Sequence, residues 1–166
     1  MEGVNTYEVD NYLVSTPFGC PIGSYCLVGS DLVIGSGLCP IGYFCPAQTE
    51  FLEPAPPRSY TGNFGAVGAS LCTPGTFQLF FTGSKCERCP SGYECQLRGT
   101  SMPSICPIGS YRSVIESNVC QLCPKGTFAF ERGVMDFLGC NECPTGRICE
   151  EDGLRNITMT ARCTDG

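Results

Sequence analysis

Apolar positions along this chain come in short bursts, and no stretch of about 11 residues or more repeats them at the period of a helix. Segments such as Phe64-Gly65-Ala66-Val67-Gly68-Ala69 and Phe77-Gln78-Leu79-Phe80-Phe81 have the length of short strands. Gly and Pro recur between the bursts, and these are residues of turns rather than of element interiors. The pattern predicts turns and short strands with little or no helix. The longest apolar runs, such as Leu32 to Ile34, fall far short of a membrane span.

The bursts follow a repeated signal. A tetrad of Cys, two residues and Gly occurs eight times. Six copies carry Pro second and start at Cys20, Cys39, Cys89, Cys106, Cys123 and Cys143. Two variants are Cys72-Thr73-Pro74-Gly75 and Cys163-Thr164-Asp165-Gly166. An aromatic usually stands within two residues of the Gly: Tyr25, Tyr43, Phe77, Tyr93, Tyr111 and Phe128. Pro presets a negative φ and Gly supplies a positive one, the requirements of a type II turn or a near relative. The aromatic then begins a short strand and can pack over a disulfide.

The other cysteines fall at two distances from a tetrad. In short modules the second Cys comes six positions on, as in Cys20 to Cys26, Cys39 to Cys45, Cys89 to Cys95 and Cys143 to Cys149. In long modules it comes more than twice as far along, as in Cys72 to Cys86, Cys106 to Cys120 and Cys123 to Cys140. Cys163 is left over, unpaired or paired outside this segment. Nearest-neighbour pairing repeats with the tetrad and is the expectation. Spacing alone leaves open an overlapping first-to-third, second-to-fourth pattern in the short modules.

Composition explains why such staples are needed. Fifteen Cys in 166 residues mark a disulfide scaffold. Leu, Ile, Val and Phe number 38, too few to offset roughly 1–2 kcal/mol of backbone entropy per ordered residue. Disulfides persist in oxidising compartments, so the expected location is extracellular or at a cell surface. The N-terminus, Met1 to Glu8, lacks the positive start and apolar core of a signal peptide. Together with the module cut open at Cys163, this reads as a fragment. A net charge of −6 with no Lys or Arg cluster argues against a nucleic-acid surface.

Three regions are expected: a lead-in at residues 1–19, two short modules with a Pro-rich linker at 20–60, and tandem modules at 61–166, the last truncated. Glu53-Pro54-Ala55-Pro56-Pro57-Arg58 lies in the longest Cys-free interval and favours an extended linker, with a soft boundary near residue 60. The expected fold is small and disulfide-rich, an elongated series of cysteine-rich modules with short β-strands and turns.

The order from Cys86 to Cys149 is C-x-x-C-P-x-G-Y-x-C, then Gly99-Thr100-Ser101, then C-P-x-G-S-Y, C-x-x-C-P-x-G-T-F and C-x-x-C-P-x-G. It resembles the ephrin-receptor-like cysteine-rich repeats, which are related in style to the tumour-necrosis-factor-receptor and EGF-type modules. The resemblance covers residues 72–166, and residues 20–45 only by their short units. It departs at the wide gap from Cys45 to Cys72 and at Arg147 and Ile148, where an aromatic would follow Gly146. It implies an extracellular stalk, a receptor ectodomain or a filament subunit, with neighbouring modules or copies of the same protein as partners, and it carries no catalytic residues.

Other chemistries compete with plainer readings. The pairs Cys86/Cys89, Cys120/Cys123 and Cys140/Cys143 have zinc-like spacing. The absence of His and the tetrad repeat instead assign the two Cys of each pair to different bridges, so no metal and no cofactor is expected. Glu50/Glu53 and Glu150/Glu151/Asp152 read as solvated turn charges; the second cluster matches no Ca²⁺ loop spacing. Without His, the common hydrolytic triads are excluded, and no enzyme is expected. Asn156-Ile157-Thr158 is an N-glycosylation sequon, and Pro54, Pro56 and Pro57 are candidate carriers of hydroxyproline-linked sugars.

Overall fold

A computed structural model of the chain describes residues 5–9, 12–16, 20–26, 36–47, 51–114, 117–156 and 161–162. The chain divides into two compact units, one of residues 1–72 and 78–86, the other of residues 73–77 and 87–166. The division falls inside the repeat that starts at Cys72.

In the first unit, β1 (Asn5–Val9) pairs antiparallel with β2 (Tyr12–Thr16). Three two-residue ladders follow: β3 (Ser24–Tyr25) with β4 (Gly37–Leu38), β5 (Tyr43–Phe44) with β6 (Glu53–Pro54), and β7 (Ser59–Tyr60) with β8 (Ser70–Leu71). The second unit continues the pattern: β9 (Thr76–Phe77) with β10 (Glu87–Arg88), β11 (Tyr93–Glu94) with β12 (Ser104–Ile105), and β13 (Ser110–Tyr111) with β14 (Gln121–Leu122). It ends with β15 (Thr127–Phe128) on β16 (Asn141–Glu142) and β17 (Arg147–Ile148) on β18 (Ala161–Arg162). The described helix is a single 3₁₀ turn at Phe137–Gly139. This is a small disulfide-rich fold of strands and turns.

Each ladder after the first begins at a tetrad. The fifth residue of a repeat donates its N–H to the carbonyl of the second, as in Ser24 to Pro21 at 3.0 Å and Ser110 to Pro107 at 3.2 Å. The Pro is thus the first residue of the turn and the Gly its third. That Gly takes φ between 75° and 88° in seven repeats, the left-handed conformation a Cβ disfavours. At Gly23 and Gly42 a second constraint applies. A Cβ there would come within 2.6 Å of the carbonyl oxygen of Gly65 or Thr82, each the eleventh residue two repeats further on.

The Pro-rich stretch expected as a linker is itself a repeat. Ala55 stands where Cys begins other tetrads, Ser59 N–H donates to Pro56 at 3.2 Å, and β7 follows at once. The repeats therefore start at positions 20, 39, 55, 72, 89, 106, 123 and 143, and the interval is constant across the four steps from 55 to 123. Pro56 supplies the acceptor carbonyl of this turn, as Thr73 does in the next repeat, and Pro54 pairs with Tyr43 in β6, so the stretch is folded into the repeat pattern.

Sulfur and small residues make the interior. Cys39, Cys45, Cys72, Cys89, Cys95, Cys106 and Cys123 are fully buried, with Ala55, Ser59, Ser110 and Ala129. Tyr111 and Val134 pack against the cluster of Cys123, Ala129 and Cys140. Large side chains such as Phe51, Phe80 and Leu138 remain exposed, so bridges and backbone bonds replace much of the usual apolar core.

Candidate functional site

The feature that recurs through both units is the junction between one repeat and the next. The N–H of the fourth residue donates to the carbonyl of the seventh residue of the following repeat. In the first unit these bonds are Gly23 to Cys45, Gly42 to Thr61 and Arg58 to Gln78, at 2.8 to 3.1 Å. In the second they are Gly75 to Cys95, Gly92 to Arg112, Gly109 to Ala129 and Gly126 to Cys149, at 2.8 to 2.9 Å. The fourth residue's carbonyl in turn accepts from the first N–H of the following repeat, as in Cys39 to Gly23 and Cys123 to Gly109, both at 2.9 Å. A third bond runs from the eleventh N–H back to the first carbonyl of the preceding repeat: Gly65 to Cys39 at 2.8 Å and Gly153 to Cys123 at 2.7 Å, the former spanning Cys39 and Ala55 repeats and the latter Cys123 and Cys143 repeats. Each repeat is built to receive the next.

The structure brings the cysteines together in seven bridges with Cα separations of 5.6 to 6.0 Å: Cys20–Cys26, Cys39–Cys45, Cys72–Cys86, Cys89–Cys95, Cys106–Cys120, Cys123–Cys140 and Cys143–Cys149. Bridge length follows the occupant of the seventh position. Where that residue is Cys26, Cys45, Cys95 or Cys149, it bonds the first Cys of its own repeat. Where it is Gln78, Arg112 or Ala129, the first Cys reaches to a Cys three residues before the next repeat.

Side-chain chemistry alone does not single out those substitutes, and each has a place. Arg112 is buried and donates through Nε to the Ser117 carbonyl at 2.8 Å and through Nη1 to Pro90 at 2.9 Å and Cys89 at 3.3 Å. Desolvation lowers its pKa below the ordinary guanidinium value, and the negative field of Glu94 raises it in part. Gln78 donates to the Lys85 carbonyl at 2.8 Å and accepts the Phe80 N–H at 3.0 Å. The constant spacing from Cys72 to Cys123 is the available signal, since it puts these three residues in register with Cys95.

Each C-x-x-C pair is divided between two bridges, so Cys86/Cys89, Cys120/Cys123 and Cys140/Cys143 hold no thiolate pair that could ligate zinc. Of the acidic residues, Asp152 accepts the Lys125 N–H at 2.9 Å, and Glu94 accepts the Cys120 N–H at 3.1 Å. Both serve backbone donors at junctions. Glu53, Glu150 and Glu151 are exposed, and Glu50 lies outside the described residues. Asn156 is exposed, while Ile157, Thr158 and Cys163 lie outside the described residues. An open depression of about 410 Å³, lined by Phe130, Arg132, Val134, Met135, Asp136 and Asn141, lies beside the loop that Cys123–Cys140 closes.

Among the described residues, no helix is long and apolar enough to cross a membrane. Seven disulfides in so short a chain suggest a secreted or extracellular setting. No protein-family model matches this chain, and neither does any curated protein sequence.

Proposed function

We propose that this segment is a structural part of a large extracellular repeat protein that builds a filament, surface coat or flagellar hair. The observation that carries the reading is the recurring junction, in which backbone groups of each repeat are matched to those of the next. Its likeness to ephrin-receptor-like repeats agrees, as does the use of carboxylates and a buried Arg to serve backbone groups rather than a pocket. Partners are then neighbouring repeats or further copies, no catalysis is involved, and Asn156 carries an N-glycan.

A ligand-binding receptor ectodomain is the second reading. Phe64, Phe80 and Phe81, each at least 60% exposed in the first unit, favour it. Sedimentation and electron microscopy of the oxidised, secreted chain test both readings. Concentration-dependent linear assembly is the expected result. A monomer at all concentrations that captures a soluble ligand in equimolar amount would replace the filament with the receptor. Glycosidase treatment should lower the mass by one glycan, and the shift should vanish in Asn156→Gln.

A further inference from the structure

The repeat that begins at Ala55 differs from the other described repeats in how it is closed. Ala55 and Thr61 stand at the first and seventh positions, which Cys39–Cys45 and Cys89–Cys95 join by disulfides. Thr61 Oγ1 is the one buried side-chain polar atom without a hydrogen-bond partner among the described residues. At the fourth position Arg58 adopts φ 81°, where the seven other repeats have Gly. The following repeat places Thr82 on this one at φ 59°, in the position held elsewhere by Gly65, Gly99, Gly133 and Gly153. Thr82 N–H donates to the Ala55 carbonyl at 2.8 Å, so both left-handed side-chain-bearing residues belong to one junction. Each costs of order 1 kcal/mol or more relative to Gly.

The same repeat sits in the longest interval between bridges. Positions 46–71 contain no Cys, whereas the other stretches between bridges are 27–38, 96–105 and two-residue spacers. A segment enclosed by a disulfide adds no length on unfolding until sulfur–sulfur bonds break, but a segment between bridges does.

We infer that the Ala55 repeat is a release point: under tension it opens before its neighbours and lengthens the chain with every disulfide intact. Between Cys45 and Cys72 it supplies roughly 90 Å of contour at about 3.4 Å per residue. Strain, a missing bridge and an unsatisfied buried hydroxyl all lower the work of opening at one place. The inference concerns the chain's own mechanics and stands whether or not it forms filaments.

The test holds the intact oxidised chain by its two ends in an optical trap. The first cooperative step is expected to release the segment between Cys45 and Cys72. In Ala55→Cys/Thr61→Cys, with the new bridge verified by mass, that step shortens by roughly 15 Å and moves to higher force. A first step that matches another interval, or an unchanged force in the bridged variant, overturns the inference. Hydrogen exchange decides independently of the new bridge. The amides of Ser59, Thr61 and Cys72 should exchange at least tenfold faster than those of Ser110, Arg112 and Cys123 in the corresponding positions. Arg58→Gly/Thr82→Gly should slow them. Equal protection in the two sets, or no response to the glycine pair, rules out the release point.

Discussion

Arg112 Nη1 donates to the carbonyl of Pro90 at 2.9 Å, tying the seventh residue of one repeat to the turn of the repeat before it. The seventh position is an interior slot. A half-cystine fills it where the bridge is short; elsewhere Gln78, Arg112 or Ala129 does, each within hydrogen-bonding or packing contact of its surroundings, and in the Ala55 repeat the buried Thr61 does, its hydroxyl unpartnered.

Removing the Arg112 guanidinium leaves the carbonyls of Cys89, Pro90 and Ser117 without that donor. Arg112→Ala should cost about 3 kcal/mol, because buried acceptors lose charge-assisted bonds and a void remains. Thermal unfolding under oxidising conditions measures this. Arg112→Lys should recover less than half, since an ammonium lacks the planar fork that reaches three carbonyls. Full recovery by Lys would show that charge alone matters there.

Bridge length should be transferable by moving one cysteine. In Arg112→Cys/Cys120→Ser, Cys106 should bond residue 112 and enclose a loop like that of Cys89–Cys95. Such a seven-residue loop contributes roughly 2.4 kcal/mol in the loop-entropy estimate, against about 3 for fifteen residues. Peptide mapping would find the 106–112 link. Free thiols at Cys106 and at position 112 in a folded chain would show that the two positions are not equivalent.

Glycines of the same tetrad position should differ in tolerance. Gly92 and Gly126 have φ of 75° and 83°, but a Cβ on Gly92 would collide with the Gly133 carbonyl while one on Gly126 meets open space. Gly126→Ala should cost about 1 kcal/mol from backbone strain alone. Gly92→Ala should cost at least twice that. Equal losses in chemical denaturation would remove the close approach as a factor.

Reduction and chelation should act oppositely. A reductant should abolish the near-ultraviolet signal of Tyr111 and its neighbours, because the buried interior is largely half-cystine. A chelator should leave that signal unchanged, and metal analysis should return no stoichiometric zinc. Collapse on chelation alone would restore a metal reading of the C-x-x-C pairs.

Much of the fold class was legible because it is written in local chemistry. A Pro and a Gly two residues apart specify a turn, and the residues after them pair in a ladder as short as Ser110–Tyr111. The Ala55 repeat was not legible in the same way. Its turn keeps the Pro but lacks both Cys and Gly, and three Pro in four residues resemble a linker until the Ser59 to Pro56 bond is seen.

Side-chain pattern therefore specifies the single repeat: where the Cys-led turns fall, that strands are brief, and that sulfur replaces an apolar core. How one repeat joins the next emerges only in the folded chain. The joining bonds run between backbone groups of residues such as Gly92 and Arg112, or Gly109 and Ala129, and every residue but Pro carries the same donor and acceptor. Nothing in a side-chain pattern marks which of those groups will meet. The burial of Arg112, the φ of Arg58 and the unpartnered Thr61 hydroxyl follow from that meeting, since each depends on an adjacent repeat packing against its own.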